Sequence, residues 1–208
     1  MKLLLFSDLH SNNIAARSLV DMAGNVDIVI GAGDFCNAHR GLNNILNTLK
    51  NISVPMIFVP GNNETNNALR QECKGFENVY VLHGNGCEVQ NVEFFGVGGG
   101  IPMTPFGPWS FDFDEIQAQE LFRQCPRNAV IISHSPPKGI VDVSSRGKSL
   151  GSSTVRSVIE EKNPQLLVCG HIHGSEGQIE QFENSYIINA GPHGIFWDLG
   201  SNCVVATN

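Results

Sequence analysis

The sequence predicts an α/β fold, and three features carry that prediction. Short apolar runs alternate with helically spaced apolar residues through the first third of the chain, in the order β-α-β-α-β. Several of those runs end in tight turns bearing Asp, Asn or His. Apolar residues make up 41% of the chain and charged residues 16%, a balance that supplies a large core.

The elements follow in order. Residues 2–7 form an apolar run closed by a polar turn. Ala15, Leu19 and Ala23 recur every fourth position, so 12–23 reads as a helix. Residues 27–30 read as a second buried strand, and Leu42, Ile45, Leu46 and Leu49 mark an amphipathic helix. Residues 55–59 form a third strand and 65–73 a third helix. Parallel strands with helices on their faces satisfy this order. The middle differs: 79–82, 87–90 and 93–97 are short strands around glycine turns, which suggests antiparallel additions or a second sheet. A loop rich in proline and aromatic residues spans 101–113, with Phe106, Trp109, Phe111 and Phe113. A helix over 115–124 and a buried strand over 129–132 follow. A Gly/Ser-rich loop occupies 136–153, and Val155, Val158 and Ile159 mark another helix. The last strands are 165–169, 186–189 and 204–206. No linker or break in composition divides the chain, which reads as one domain over residues 1–208.

Composition excludes several classes of protein. The 208 residues suit a compact core rather than a disordered chain or coiled coil. Thirteen basic against 20 acidic residues give a net charge of −7, so non-specific binding to nucleic acid or an anionic membrane is not expected. No stretch reaches transmembrane length. The apolar start is too short for a signal peptide, because Asp8 and His10 interrupt it. Six cysteines contain no C-x-x-C pair and read as reduced, mostly buried thiols, which fits the cytoplasm. The sequons at Asn51 and Asn63 carry no meaning there. Two nucleotide-binding patterns fail on spacing: Gly147-Lys148-Ser149 has Asp142 where a P-loop needs glycine, and Ile101 takes the last glycine position after Gly96 and Gly98.

The turns that follow the strands carry the chemistry. They hold Asp8 and His10, then Asp34, then Asn62 and Asn63 with Glu64, then His134, then His171 and His173. In a parallel α/β sheet the carboxyl ends of strands gather at one edge, so these residues converge. Two Asp, one Asn and four His form an oxygen-and-imidazole set without thiolate, suited to Mn, Fe, Zn, Co or Ni. Seven donors exceed what one ion with room for water needs. They suit two ions sharing a carboxylate, the machinery of displacement at phosphorus.

Taken together, D-x-H (Asp8, His10), G-D (Gly33, Asp34), G-N-x-[D/E] (Gly61, Asn62, Asn63, Glu64), a lone His134 and G-H-x-H (Gly170 to His173) resemble the calcineurin-like metallophosphoesterases. The resemblance runs from residue 1 to about residue 192, since Ser133–Pro137 and Asn189–Pro192 also match. It implies a β-sandwich of two mixed sheets flanked by helices, with two divalent metal ions, manganese first among them, at the strand ends. It implies that Asp8, His10 and His173 hold one ion, that Asn62, His134 and His171 hold the other, and that Asp34 bridges them. A metal-bridging hydroxide then attacks a small phosphoester, a phosphodiester before a monoester, with Asn62, Asn63, His134 and His171 as the catalytic positions.

Where many members carry histidine after the G-N pair, this chain has Asn63, which cannot deliver a proton near neutral pH. A dependence on good leaving groups is the consequence, unless Glu64, His83 or His193 supplies the proton. His39, His83 and His193 otherwise read as structural or solvated, Cys36 and Cys169 as buried thiols beside the metal motifs, and Lys138, Arg146 and Lys148 as a solvated part of their loop. The alternative function is a protein-interaction scaffold on the same fold; a lesser one is a metal-dependent hydrolase of non-phosphate esters. Oligomeric state is open.

Overall fold

The computed structural model describes residues 1–205. The chain begins β1 (Lys2–Phe6), α1 (Asn13–Met22), β2 (Ile28–Gly31), α2 (Leu42–Leu49), β3 (Met56–Phe58), α3 (Asn66–Glu72) and β4 (Val79–Val81). It continues β5 (Asn85–Val89), β6 (Val92–Val97), α4 (Glu115–Phe122), β7 (Val130–Ser133), α5 (Ser153–Lys162) and β8 (Leu166–Cys169). The last strands are β9 (Ile179–Phe182), β10 (Ser185–Asn189), β11 (Ile195–Asp198) and β12 (Cys203–Val204). They form two mixed six-stranded sheets, β12-β11-β1-β2-β3-β4 and β5-β6-β7-β8-β10-β9.

Both faces of the central strands are buried, which is why β1, β2, β7 and β8 read as near-continuous apolar runs. Side chains alternate along each strand and so feed different layers. Leu3, Leu5, Ile28, Ile30 and Ile57 of the first sheet meet Phe94, Val130, Ile132 and Val168 of the second in a central layer. On the outer side of the first sheet, Leu4, Phe6, Val29 and Phe58 pack under Leu19 of α1, Ile45 and Leu49 of α2 and Leu69 of α3. On the outer side of the second, Phe95, Ile131 and Leu167 pack under Phe122 of α4 and Val155 and Ile159 of α5. Truncating a fully buried central residue such as Ile30 to alanine costs about 2–5 kcal/mol, through lost burial and the cavity left behind.

The helices start where side chains satisfy free backbone N–H groups. Asn12 accepts from Ile14 and Ala15, Thr65 from Ala68, and Ser152 from Val155. Asp114 and Gln117 form a reciprocal capping box on α4. No helix among the described residues is long and apolar enough to cross a membrane.

The two-sheet sandwich with outer helices matches the expected class. Four details differ from the sequence reading. β4 pairs parallel with β3 at the edge of the first sheet rather than as an antiparallel addition. β5 and β6 do pair antiparallel, and they open the second sheet. β9 and β11 were not predicted: β9 is a mostly exposed edge with no alternation to read, and β11 is four residues directly after a glycine turn. β12 covers Cys203 and Val204, and the end of the strand expected over 204–206 lies outside the described residues.

Candidate metal centre

Parallel pairing in both sheets brings the carboxyl ends of β1, β2, β3, β7 and β8 to one edge. The turns after β1 and β2 are zipped together there: Asp8 N–H donates to Gly33 O at 2.9 Å, His10 N–H to Asp34 O at 2.9 Å and Ser11 N–H to Phe35 O at 3.0 Å. Asp8, His10, Asp34 and His171 all have left-handed backbone, with φ of 54°, 43°, 55° and 66°. Such conformations cost on the order of 1–3 kcal/mol per non-glycine residue and persist where surrounding structure enforces them. Here they turn each side chain inward. Gly61 makes the convergence sterically feasible, because a Cβ there would collide with the Asp34 carboxylate and backbone nitrogen.

Two groups of metal-capable side chains result, Asp8 with His10 and His173, and Asp34 with His134 and His171, each with donor atoms within 4.8 Å of one another. In the first, His10 Nε2 and His173 Nε2 face each other at 3.1 Å, and Asp8 Oδ1 lies 3.6 Å from His173 Nε2. In the second, Asp34 Oδ1 lies 3.6 Å from His134 Nε2, and Asn62 Oδ1 approaches the same nitrogen at 3.3 Å. Asp34 Oδ2 lies 3.6 Å from His10 Nε2 of the first group. One carboxylate therefore addresses both groups, one oxygen to each.

Neighbours fix the imidazoles. His134 Nδ1 donates to Ala32 O at 2.7 Å, which leaves Nε2 as the ring nitrogen that faces inward. His10 Nδ1 meets Asn37 Oδ1 at 2.9 Å, and Asn37 is itself held by donating Nδ2–H to His10 O at 2.7 Å. Ser7 donates its hydroxyl to Asp8 Oδ2 at 2.6 Å, and His171 N–H donates to both Asp8 oxygens at 3.0 and 3.1 Å.

Electrostatics make the same case for cations. Burial and then the Asp8 charge push the Asp34 carboxyl well above its usual range, and burial and then the Asp34 charge push Glu64 up. Burial acts to raise Asp8 too, but its contacts with His173, His134 and Ser7 prevail and hold it low. Burial, with the nearby His134 as the next contribution, pushes His171 down to about 3, which keeps this imidazole neutral. The cleft that opens onto these residues is lined by no lysine or arginine among the described residues. Buried carboxylates and inward-facing imidazoles without a lysine or arginine form a donor set that fits divalent metal ions.

Each residue singled out in the sequence has a definite place. Asn63 is buried and turned to Asp34: its N–H donates to Asp34 Oδ1 at 2.8 Å, its Nδ2–H to Asp34 Oδ2 at 2.7 Å, and its Oδ1 accepts from Ala38 N–H at 2.8 Å. Glu64 is fully buried, accepting from Asp34 N–H at 2.8 Å and Gly61 N–H at 2.6 Å, so it ties two turns together and faces no substrate. His83 accepts from Gly98 N–H and lies against Phe111 and Phe113. His193 is exposed beside Glu176 at 3.5 Å. None of these three lines the cleft. His39 bonds Trp109 O at 2.6 Å. Cys36 and Cys169 are buried free thiols. Lys138, Arg146 and Lys148 are exposed and outside the cleft lining. Their loop is tethered: Asp142 Oδ2 accepts from Gly139 N–H at 3.0 Å and Gly151 N–H at 2.9 Å.

Sequence reasoning missed Ser110 and Asp112. Asn62 Nδ2–H donates to Ser110 Oγ at 3.0 Å, and Ser110 donates to Asp112 Oδ1 at 2.8 Å. Their position in the aromatic loop gave no signal, because nothing in 101–113 indicates that the loop folds back on Asn62.

Two donor groups that share a carboxylate, at the strand edge of a two-sheet sandwich, form a candidate two-metal site. A sequence model of the calcineurin-like phosphoesterases matches residues 1–175, and the chain belongs to that family. Among solved structures, a protein of Thermus thermophilus superposes with a TM-score of 0.77 at 17% identity, covering 100% of this chain and 98% of that one. A dimetal phosphatase from Danio rerio gives 0.63 at 13% identity, covering 94% and 91%. An archaeal phosphodiesterase gives 0.60 at 16% identity, covering 99% and 98%. At these identities the likeness is one of fold. No curated protein matches the sequence.

Proposed function

We propose that this chain is a two-metal phosphoesterase acting first on small phosphodiesters and second on monoesters. The observation that carries the reading is Asp34, whose two oxygens each lie 3.6 Å from a histidine of a different donor group. In this reading Asp8, His10 and His173 hold one ion, Asn62, His134 and His171 hold the other, and Asp34 serves both. When bound, divalent ions supply Lewis-acid polarisation of the phosphoryl oxygens and a water activated at neutral pH.

The chain's own residues set the terms of that chemistry. His10 and His134 are held with one ring nitrogen each on Asn37 and Ala32, so their Nε2 atoms keep a fixed aim. Asn63 has its amide committed to Asp34 and Ala38, so it holds the bridging carboxylate in place and passes no proton to a leaving group. Good leaving groups are then favoured. A diester carries one negative charge and a monoester up to two, and a cleft with no lysine or arginine offers the second charge no side-chain partner. That favours the diester. The Danio rerio dimetal phosphatase and the archaeal phosphodiesterase share the fold, which accommodates either order of preference.

The oxygen-and-imidazole donors suit manganese, with iron, zinc, cobalt or nickel as alternatives. We take residues 1–208 as one domain working in the cytoplasm, a reading that the free cysteines support. Metal analysis of the purified protein, with a bis(p-nitrophenyl) phosphate assay in added Mn²⁺, tests the reading. Two equivalents of metal and metal-dependent turnover are expected. Full turnover in Asp34→Asn overturns the two-metal mechanism, and a metal-replete protein that cleaves no phosphoester overturns the enzyme reading and leaves the interaction scaffold.

A further inference from the structure

We infer that the cleft beside the two donor groups is a subsite for an uncharged apolar or aryl substituent of the phosphoester, and that the chain discriminates against esters carrying further anionic groups. This rests on the phosphoesterase reading above and names the substrate class for the same site. The cleft, about 530 Å³, is continuous: His10, Asp34, Asn62, His171 and His173 line one part, and Met103, Phe106, Trp109 and Leu150 line another. Its size is that of a small-molecule pocket.

The apolar part is left open to water. Met103 is 66% exposed, Phe106 55%, Leu150 47% and Trp109 38%. Large apolar side chains gathered at one concave place, against the donor groups, mark a surface meant to be covered. The surface is also built. Phe111 N–H donates to Asn62 O at 2.9 Å, Thr104 N–H donates to Asp112 Oδ2 at 2.9 Å, and His39 Nε2 bonds Trp109 O at 2.6 Å. The Phe106 and Trp109 rings stack on one another, 6.0 Å between centroids and 21° between planes, so they present one apolar wall. An organic group bonded to a phosphorus held at Asp34 has this wall as its neighbour.

Charge supplies the exclusion. The lining contains no lysine or arginine among the described residues, and the nearby Lys138, Arg146 and Lys148 are exposed outside it. A second phosphate would be desolvated against the Asp34 carboxylate and aromatic rings with no lysine or arginine to pair it.

The test varies one substituent and keeps the leaving group. Phenyl p-nitrophenyl phosphate and methyl p-nitrophenyl phosphate are compared by kcat/KM, and phenylphosphonate, methylphosphonate and pyrophosphate are titrated by the fluorescence of Trp109; the other tryptophan, Trp197, is 2% exposed. Each experiment is done in metal-replete wild type, and the turnover comparison also in Phe106→Ala and Leu150→Ala. The expected phenyl-to-methyl preference is about tenfold or more in turnover and in binding, with pyrophosphate weaker than phenylphosphonate, and the turnover preference falls at least about threefold in each variant. Ester hydrolysis with a phenyl-to-methyl ratio below about twofold overturns the subsite and leaves the phosphoesterase reading intact. Absence of hydrolysis with a retained phenylphosphonate preference overturns the phosphoesterase reading and supports the apolar subsite.

Discussion

Asn62 divides its amide between Ser110, to which Nδ2–H donates at 3.0 Å, and His134, whose Nε2 lies 3.3 Å from Oδ1. The Ser110 hydroxyl proton goes to Asp112 Oδ1 at 2.8 Å, so the Ser110 oxygen faces Asn62 as an acceptor. That chain fixes which end of the amide points at the second donor group. Ser110→Ala releases the amide. Loss of such an orienting contact typically costs about 10–100-fold in metal affinity. Calorimetric titration with Mn²⁺ should show one of two sites weakened by about tenfold and the other unmoved. Two unaltered affinities would show that Ser110 merely packs.

Asp34 and Asp8 sit buried in one site, and burial together with the Asp8 charge pushes the Asp34 carboxyl up, so a bound cation relieves a cost that the metal-free fold carries. Metal binding to the folded state alone stabilises it, by about 2.7 kcal/mol at a hundredfold excess over Kd. Thermal melts should rise with added Mn²⁺ in wild type. Asp34→Asn should lose most of that rise and at least about a hundredfold in turnover, because a neutral amide serves two cations poorly. A melt in Asp34→Asn that still rises as far as wild type would separate Asp34 from metal binding.

Asn63 engages Asp34 Oδ2 at 2.7 Å, and its amide cannot deliver a proton to a departing alkoxide. Rates over a series of aryl and alkyl esters should fall steeply as leaving-group pKa rises. Asn63→His introduces a group able to carry a proton near neutral pH, and the slope should become shallower. Equal slopes in the two proteins would remove the idea.

How much of this was legible follows from where the information lies. Asp8, His10, Asp34, Asn62, His134, His171 and His173 are visible because each ends an apolar strand, and parallel strands bring their ends together whatever the helices between them do. The helices were readable from apolar spacing, down to Leu42–Leu49 of α2. The role of Glu64 was not: its burial against Asp34 and Gly61 N–H groups depends on how two distant turns pack. The same holds for Ser110 and Asp112, whose partner Asn62 is 48 positions from Ser110. Strand β11 escaped because its partner β1 lies at the other end of the chain.

Glu115 caps a helix other than its own. Its carboxylate accepts from Ser152 Oγ at 2.8 Å and from the backbone of Ser153 and Thr154 at 2.9 Å each, at the start of α5. Burial acts to raise its pKa, but bonds from Thr154, Ser152 and Ser153 prevail and lower it. A carboxylate at a helix N-terminus also meets the favourable end of the helix dipole. Glu115→Ala should destabilise the fold by about 1–2 kcal/mol in urea titrations at neutral pH. Because the folded-state pKa lies below the unfolded one, that contribution is present above the ordinary glutamate range and fades as pH falls below it. A loss that is the same at neutral and at strongly acidic pH would contradict the charge-based account.

His83 gives the opposite handle on pH. Burial, reinforced by the nearby Arg70 charge, lowers its pKa from 6.5 to about 4, and its Nδ1 accepts from Gly98 N–H at 3.2 Å, which requires that nitrogen to be unprotonated. Between those two pKa values the unfolded chain binds a proton that the folded chain refuses. Folding stability is therefore fully present above about pH 6.5 and is lost as pH falls toward 4, with a limiting slope of about 1.4 kcal/mol per pH unit. Water reaching the partly exposed ring reduces that slope. His83→Gln keeps an acceptor for Gly98 and removes the titration. Urea midpoints compared at pH 7.5 and pH 5 should therefore shift in favour of the glutamine variant by about 1 kcal/mol at the lower pH, since every other titrating group is common to both proteins. A difference between the two proteins that does not change with pH would mean that His83 is protonated, or hydrated, in the folded state.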